Sequence, residues 1–269
     1  MEGFLIALPS FPVIAQPSES VMEMDKAALR GVERAVEVMT SNPGQNITID
    51  DLARTALFSK FHFSRVFQRA TGISPGRFLS AVRLAEAKRL LVSTSLSVAD
   101  ISCVVGYNSI GTFSSRFRGS VGVPPTRYRR LDGVVPTVPV PEATQGETVA
   151  GGLDGEVHQP WGGDRVGGVF VGLFPMPILQ GSPARHAVLP CTGFFSLTDV
   201  PVGTWYLMSC SIPTGVDQPR YLGRHGPIVI RSGQPNGPFD IELRAKRAID
   251  PPVLLAPLDG VRSLSSAAA

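Results

Sequence analysis

One stretch of this chain occurs twice. The segment FSRVFQRATGISPGRF at residues 63–78 returns as FSSRFRGSVGVPPTRY at residues 113–128, fifty positions on. Phe63 matches Phe113, Phe67 matches Phe117, Gly72 matches Gly122, Pro75 matches Pro125, and Phe78 matches Tyr128. Upstream, IDDLARTA at 49–56 matches VADISCVV at 98–105 with an offset of 49, so the second copy has one more residue between its helices. Self-similarity at a fixed offset marks a supersecondary unit used twice.

Each copy reads as a short helix, a tight turn and a longer helix. Thr48 and Ser97 stand where N-caps of the short helices belong, and Ser59 and Ser109 where those of the longer ones do. Gly72 is placed to close its helix in a left-handed conformation, and Ser74-Pro75 to start the next. The spacing predicts helices over 28–40, 49–56, 60–71, 76–92, 98–105 and 110–118, with a last short turn to Arg130. Leu52 with Phe63 and Phe67, and Ile101 with Phe113 and Phe117, are spaced to pack each helix pair together. The positions between them face outward: Lys60, Phe61, Ser64, Arg65 and Gln68 in the first copy, and Ile110, Gly111, Thr112, Ser114, Ser115 and Arg118 in the second. That is the helix-turn-helix plan, in which the second helix enters a DNA major groove.

Charge agrees with a polyanion partner for this part alone. Residues 27–131 hold 15 Lys+Arg against 6 Asp+Glu, a net of +9, while the remainder nets −6 within a total of +3. An acidic half of this kind invites the idea that it holds the basic half off DNA. Three cysteines at irregular spacing make no disulfide framework and suit reduced thiols in a cytoplasm. Cys191 and Cys210 are expected as a buried structural pair. The apolar start lacks a basic n-region and is broken by Pro9 and Pro12, so residues 1–26 read as a flexible leader. No uninterrupted stretch reaches a membrane-spanning length, and no membrane partner is expected.

The helical part closely resembles the AraC/XylS family of transcription regulators. The resemblance rests on DDLA, the SxxHFSRxF run at 59–67, TGxSPxxF at 71–78, RLxxAKxLL at 83–91, GYxSxxxFSxxF at 106–117 and VGVPPTRYR at 121–129. It implies that both longer helices enter the major groove of a double-stranded operator. By position, Lys60, Phe61, Ser64 and Arg65 would face the groove from the first, and Ile110, Gly111, Thr112, Ser114 and Ser115 from the second. RNA polymerase is a further candidate partner. Two departures stand out. Leu57 occupies a turn position where many members have glycine, which leucine tolerates only if the turn avoids a left-handed residue. The second recognition helix is poor in base-reading side chains, so the first unit is expected to read sequence and the second to hold phosphates and shape. In most members this domain is C-terminal; here it comes first.

The overall expectation is a multidomain α and β protein: an all-α double helix-turn-helix domain over 27–131, a Pro/Gly-rich linker over 132–160, an all-β antiparallel sandwich over 161–250 and a tail over 251–269. The strand readings are 167–174, 194–212, 226–233 and 239–245, split by Gly and Pro turns. Gly193, Phe195, Val200, Pro201, Gly203 and Tyr206 give this half a resemblance to carboxypeptidase-regulatory or transthyretin-like sandwiches. Trp161, Trp205, His186 and His225 are residues that could line a ligand site, although core roles serve each of them. No phosphate loop, nucleophile elbow, cofactor motif or metal spacing is visible, and an enzyme is not expected. An alkyltransferase of the kind that carries this DNA-binding module would need His and Arg after its cysteine, and Pro190-Cys191-Thr192 lacks them. The β-half is left with two readings: it binds an unknown small-molecule effector, or it recruits a protein partner with no effector.

Overall fold

A computed structural model describes residues 19–136, 151–160, 166–213, 220–232 and 236–259. The helical part contains α1 (Glu19–Ser41), α2 (Ile49–Ala56), α3 (Lys60–Thr71), α4 (Pro75–Ser93), α5 (Val98–Val104), α6 (Ile110–Val121) and α7 (Pro125–Arg130). The first eight residues of α1 lie inside the segment expected as leader. The rest of that leader lies outside the described residues.

The sequence repeat is also a repeat of packing. In the first unit Phe63 and Phe67 lie with ring centroids 5.4 Å apart, and Phe67 meets Phe78 edge-on at 5.4 Å. In the second, Phe113, Phe117 and Tyr128 form the same chain at 5.7 Å and 5.7 Å. Both short helices start with a reciprocal capping box. The Thr48 hydroxyl accepts from the Asp51 amide and the Asp51 carboxylate accepts from the Thr48 amide, and Ser97 and Asp100 do the same. The Thr48 hydroxyl also donates to the Asp51 carboxylate at 2.6 Å, and this bond, with that from the Thr48 amide, holds the Asp51 carboxyl below its usual range. Ser74 stands at the N-cap of α4 but makes no capping bond with its side chain. α4 is buried on nearly every side because α1 and α3 pack on it from one unit and α5 and α7 from the other. Arginines tie the bundle. Arg34 donates to the Thr55 and Ala56 carbonyls, Arg83 to those of Pro43 and Gln45, and Arg129 to those of Leu91 and Leu96.

Leu57 overturns its expectation. It caps α2 in the left-handed region, with φ 62° and ψ 38°. Its counterpart in the second unit is Gly106, also left-handed at φ 83°. The turn geometry is thus shared, and the first unit carries it with a side chain that is 81 % exposed.

The β-half is two packed sheets. One is ordered β4 (Gly193–Leu197), β1 (Leu153–His158), β7 (Asn236–Glu242). The other is ordered β3 (His186–Leu189), β2 (Val169–Phe174), β5 (Gly203–Ser211), β6 (Tyr221–Ile230), β8 (Arg244–Ala245). Pairing is antiparallel except between β1 and β7, which run parallel. β1 falls inside the stretch expected as linker. Leu153, Val157, Phe195, Leu197 and Ile241 of the smaller sheet meet Val169, Val171, Leu173 and Leu207 of the larger across the sandwich core.

The stretch expected as a tail is also structural. Residues 253–258 run between the two halves of the molecule. Leu254 and Ala256 join the helical core, while Val253, Leu255 and Leu258 pack on the outer face of the larger sheet. This explains why β2 is buried on both faces. A second bridge is the loop after β2. Its Ile178 belongs to the helical core, its Pro177 packs against Gly72, and the Gly181 amide donates to the Ser120 carbonyl at 2.7 Å. Among the described residues no helix is long and apolar enough to cross a membrane.

Candidate nucleic-acid interface

The two recognition helices present matching faces. Over residues 61–78 and 111–128 the order of buried, half-buried and exposed positions is the same except at one place. Ser59 and Ser109 cap α3 and α6, their hydroxyls accepting from the His62 and Thr112 amides. The first turn of each helix therefore projects from a fixed start.

On α3, Phe61 is 86 % exposed, and Arg65 and Gln68 are exposed beside it. Lys60 is also exposed, but its ammonium lies 2.9 Å from Asp50, which draws it towards α2. Ser64 is half-buried and donates to the Lys60 carbonyl at 2.8 Å. On α6, Ile110, Gly111, Thr112, Ser115 and Arg118 are exposed and Ser114 is half-buried. The side chains expected outward thus divide into two kinds. Phe61, Arg65, Gln68, Thr112, Ser115 and Arg118 stand clear, whereas Lys60 pairs with α2, Ser64 bonds its own helix and Ser114 is half-buried.

Two residues were missed. His62 is exposed and stands edge-on to Phe58 at 4.8 Å. It is the repeat partner of Thr112, so the offset of 50 would have found it. Arg116 is the one place where the two burial patterns differ: it is exposed where its counterpart Val66 is half-buried. With Thr112, Ser109, Asn108 and Arg83 it lines a polar cleft between α4 and the start of α6. The change from valine to arginine at a matched position was the signal.

A helix-turn-helix domain profile matches residues 52–131. The transcriptional activator AarP of Providencia stuartii is 32 % identical over 91 residues, which is 34 % of this chain and 67 % of that protein. This chain belongs to the AraC-type helix-turn-helix transcriptional regulators.

Other relatives share the same part only. The lactose operon transcription activator of Staphylococcus xylosus is 31 % identical over 98 residues, 36 % of this chain and 35 % of its own. The chain thus spans about a third of the length of the first curated relatives it matches. Among solved structures, an AraC-type regulator from Chromobacterium violaceum is 27 % identical and covers 40 % of this chain and 96 % of its own, with a TM-score of 0.38. The C-terminal domain of AraT from Geobacillus stearothermophilus is 33 % identical and covers 37 % and 84 %, with a TM-score of 0.36.

The described residues considered for a ligand site in the β-half of this AraC-type chain each have a partner of their own. Trp205 donates to the Pro201 carbonyl at 2.9 Å, His186 stacks on Phe170 at 5.7 Å, and His225 stands edge-on to Phe239 at 5.2 Å. Trp161 lies outside the described residues. Cys191 and Cys210 are not a pair: Cys191 is exposed, and Cys210 is buried, with burial pushing its thiol up to about 11. Among the described residues no group of His, Cys, Asp or Glu is arranged to hold a metal.

Proposed function

We propose that this AraC-type chain is a sequence-specific transcription regulator of the cytoplasm that inserts α3 and α6 into successive major grooves of a double-stranded operator. The observation that carries the reading is the matched exposure of the two recognition helices, each open along one face from its capped start. A helix of this size fits the major groove, and its N-terminal residues reach base edges. The first unit is the sequence reader. Arg65 and Gln68 offer the donors and acceptors that distinguish bases, and the Phe61 ring offers an apolar face for a thymine methyl group. The second unit mainly holds phosphates. Arg116 and Arg118 supply charge, and the start of α6 supplies backbone amides.

The test is selection of DNA from a random pool with the full chain at fixed salt. A shared motif of two boxes about one helical turn apart is the expected result. Phe61→Ala and Arg65→Ala should each relax preference within one box, costing about 1–3 kcal/mol of discrimination. Arg116→Ala should weaken binding to all sequences alike and flatten the salt dependence by about one unit of slope. Relaxed base preference from Thr112→Ala alone, with Arg65→Ala silent, would reverse the division of labour.

Among the described residues, the β-half meets α3 and α6 at their C-terminal ends, through Gly72 and Ser120, and these contacts do not reach the exposed face of either helix. That placement speaks against an acidic half holding the basic half off DNA, and for a half that senses an effector or mediates association. The effector reading has a crevice at the seam, lined by Thr71, Pro177, Leu179, Met208, Leu222 and Arg224, which holds little more than a water-sized group and must open to admit a ligand. The second reading, recruitment of a protein without an effector, is favoured by Phe194 on β4 of the smaller sheet, which is exposed.

A further inference from the structure

The smaller sheet has one face in the sandwich core and one in water. Along β1, Leu153, Gly155 and Val157 are buried while Asp154, Glu156 and His158 point out. The outward row through the middle of the sheet is Phe194, Glu156 and Asp240, paired strand to strand. The next row pairs His158 with Glu242. A sheet face in water is ordinarily polar throughout. This one holds a phenylalanine that is 82 % exposed, at the edge of a shallow groove lined by Glu156, Ser196, Pro238 and Asp240. Four carboxylates, those of Asp154, Glu156, Asp240 and Glu242, share the face, and His158 lies 3.1 Å from Asp240 as its basic neighbour.

We propose that this face docks an extended basic segment of a second protein, one with Lys or Arg at alternate positions. Charge complementarity selects the occupant. Carboxylates two residues apart on a strand are about 7 Å apart, the spacing of alternate side chains on an extended chain. A cation beside Phe194 gains from the ring face as well as from the adjacent Glu156 carboxylate. The face is open and nearly flat, which suits a polypeptide better than a small molecule.

The location fits a partner that joins the regulator on DNA. In order through the molecule stand the helical domain, the strap at 253–258, the larger sheet, the sandwich core and the smaller sheet. The docking face is therefore at the end of the molecule remote from α3 and α6. Its carboxylates are kept away from DNA phosphates and can be occupied while the helices are engaged. This deepens the partner-recruiting reading of the β-half, and DNA affinity is followed in the same variants so that each can fail separately.

The experiment titrates the full chain into two fluorescein-labelled peptides of equal charge, one alternating Arg and Ser over ten residues, one with five Arg followed by five Ser. The alternating peptide should bind at least about tenfold more tightly. Phe194→Ser, and separately Glu156→Gln with Asp240→Asn, should each remove about that factor. Phe194 is almost wholly in water, so its replacement leaves the fold intact, and affinity for the selected DNA should not change. Asp199→Asn, an exposed acid outside this face, should leave peptide binding as it was. Equal binding of the two peptides, or binding indifferent to Phe194→Ser, overturns the proposal. So does self-association of the full chain in sedimentation that Phe194→Ser abolishes, because the occupant is then a second copy.

Discussion

Leu57 and Gly106 occupy matched turns, and both have positive φ. A side chain in the left-handed region costs roughly 1–2 kcal/mol, because its Cβ crowds the following carbonyl. Glycine avoids that cost but loses more backbone freedom on folding. Since the Leu57 side chain is almost entirely in water, little burial is forfeited by removing it. Leu57→Gly should therefore stabilise the chain by about 1 kcal/mol, read as a higher denaturation midpoint at unchanged slope. A loss of stability would mean that Leu57 makes contacts worth more than its strain. Tyr128 tells the opposite story at the matched position of Phe78. Its ring fills the same place in the aromatic chain, and its added hydroxyl donates to Asp259 at 2.8 Å. Tyr128→Phe should cost about 1 kcal/mol, the net worth of one hydrogen bond.

The helices were legible because each carries its own punctuation. The expected spans for α2 and α3 match the observed ones, since Thr48 and Ser59 open them and a left-handed residue closes each. Caps differ in worth, however, and sequence does not grade them. Ser97→Ala should cost about 1 kcal/mol, because its hydroxyl belongs to a reciprocal box, whereas Ser74→Ala, with no capping bond to lose, should change stability by less than about 0.5 kcal/mol in the same denaturation assay. The face of α3 was legible too, from helical spacing alone, but the engagement of Lys60 with Asp50 was not, because it crosses between helices. β1 was overlooked although its alternation was present, since Asp154, Gly155 and Glu156 sit in a Pro/Gly-rich acidic stretch that reads as linker. The strap at 253–258 has no single period to find. Its alternate residues are apolar on both sides because a different domain buries each side.

At the scale of the whole molecule, the seam between the halves is held by buried charge. The Lys88 side chain, 7 % exposed, donates to Asp259 at 2.8 Å and to the Leu254 carbonyl at 3.0 Å. Asp259 also accepts from Tyr128, so one carboxylate joins α4, α7 and the strap. Removing one partner of such a pair leaves an uncompensated charge, whereas removing both is often nearly neutral. Asp259→Ala should thus cost about 3 kcal/mol, and Lys88→Met combined with Asp259→Ala distinctly less, a non-additivity that denaturation of the four proteins in the cycle would measure. The same logic says that a fragment ending at residue 131 strips Lys88 of its seal and is less stable than the domain within the full chain. Asp250 adds a pH dependence on the other side of the strap. Burial works to raise its pKa, but hydrogen bonds from Arg244 at 2.6 and 2.7 Å, the Arg247 amide and both guanidinium charges outweigh burial and hold the carboxyl below its usual range. A carboxyl depressed on folding stabilises the native state above its unfolded pKa, and that contribution disappears as pH falls through the lower folded value. Arg244 is 41 % exposed, which places the pair near the modest end, about 1–2 kcal/mol. Melting temperature should therefore fall more steeply between about pH 5 and 2 in the parent than in Asp250→Asn, and at neutral pH the variant should be the less stable of the two. Parallel acid profiles for parent and variant would show that the Asp250 carboxyl is not held down by its arginines and that the seam draws its acid sensitivity from elsewhere.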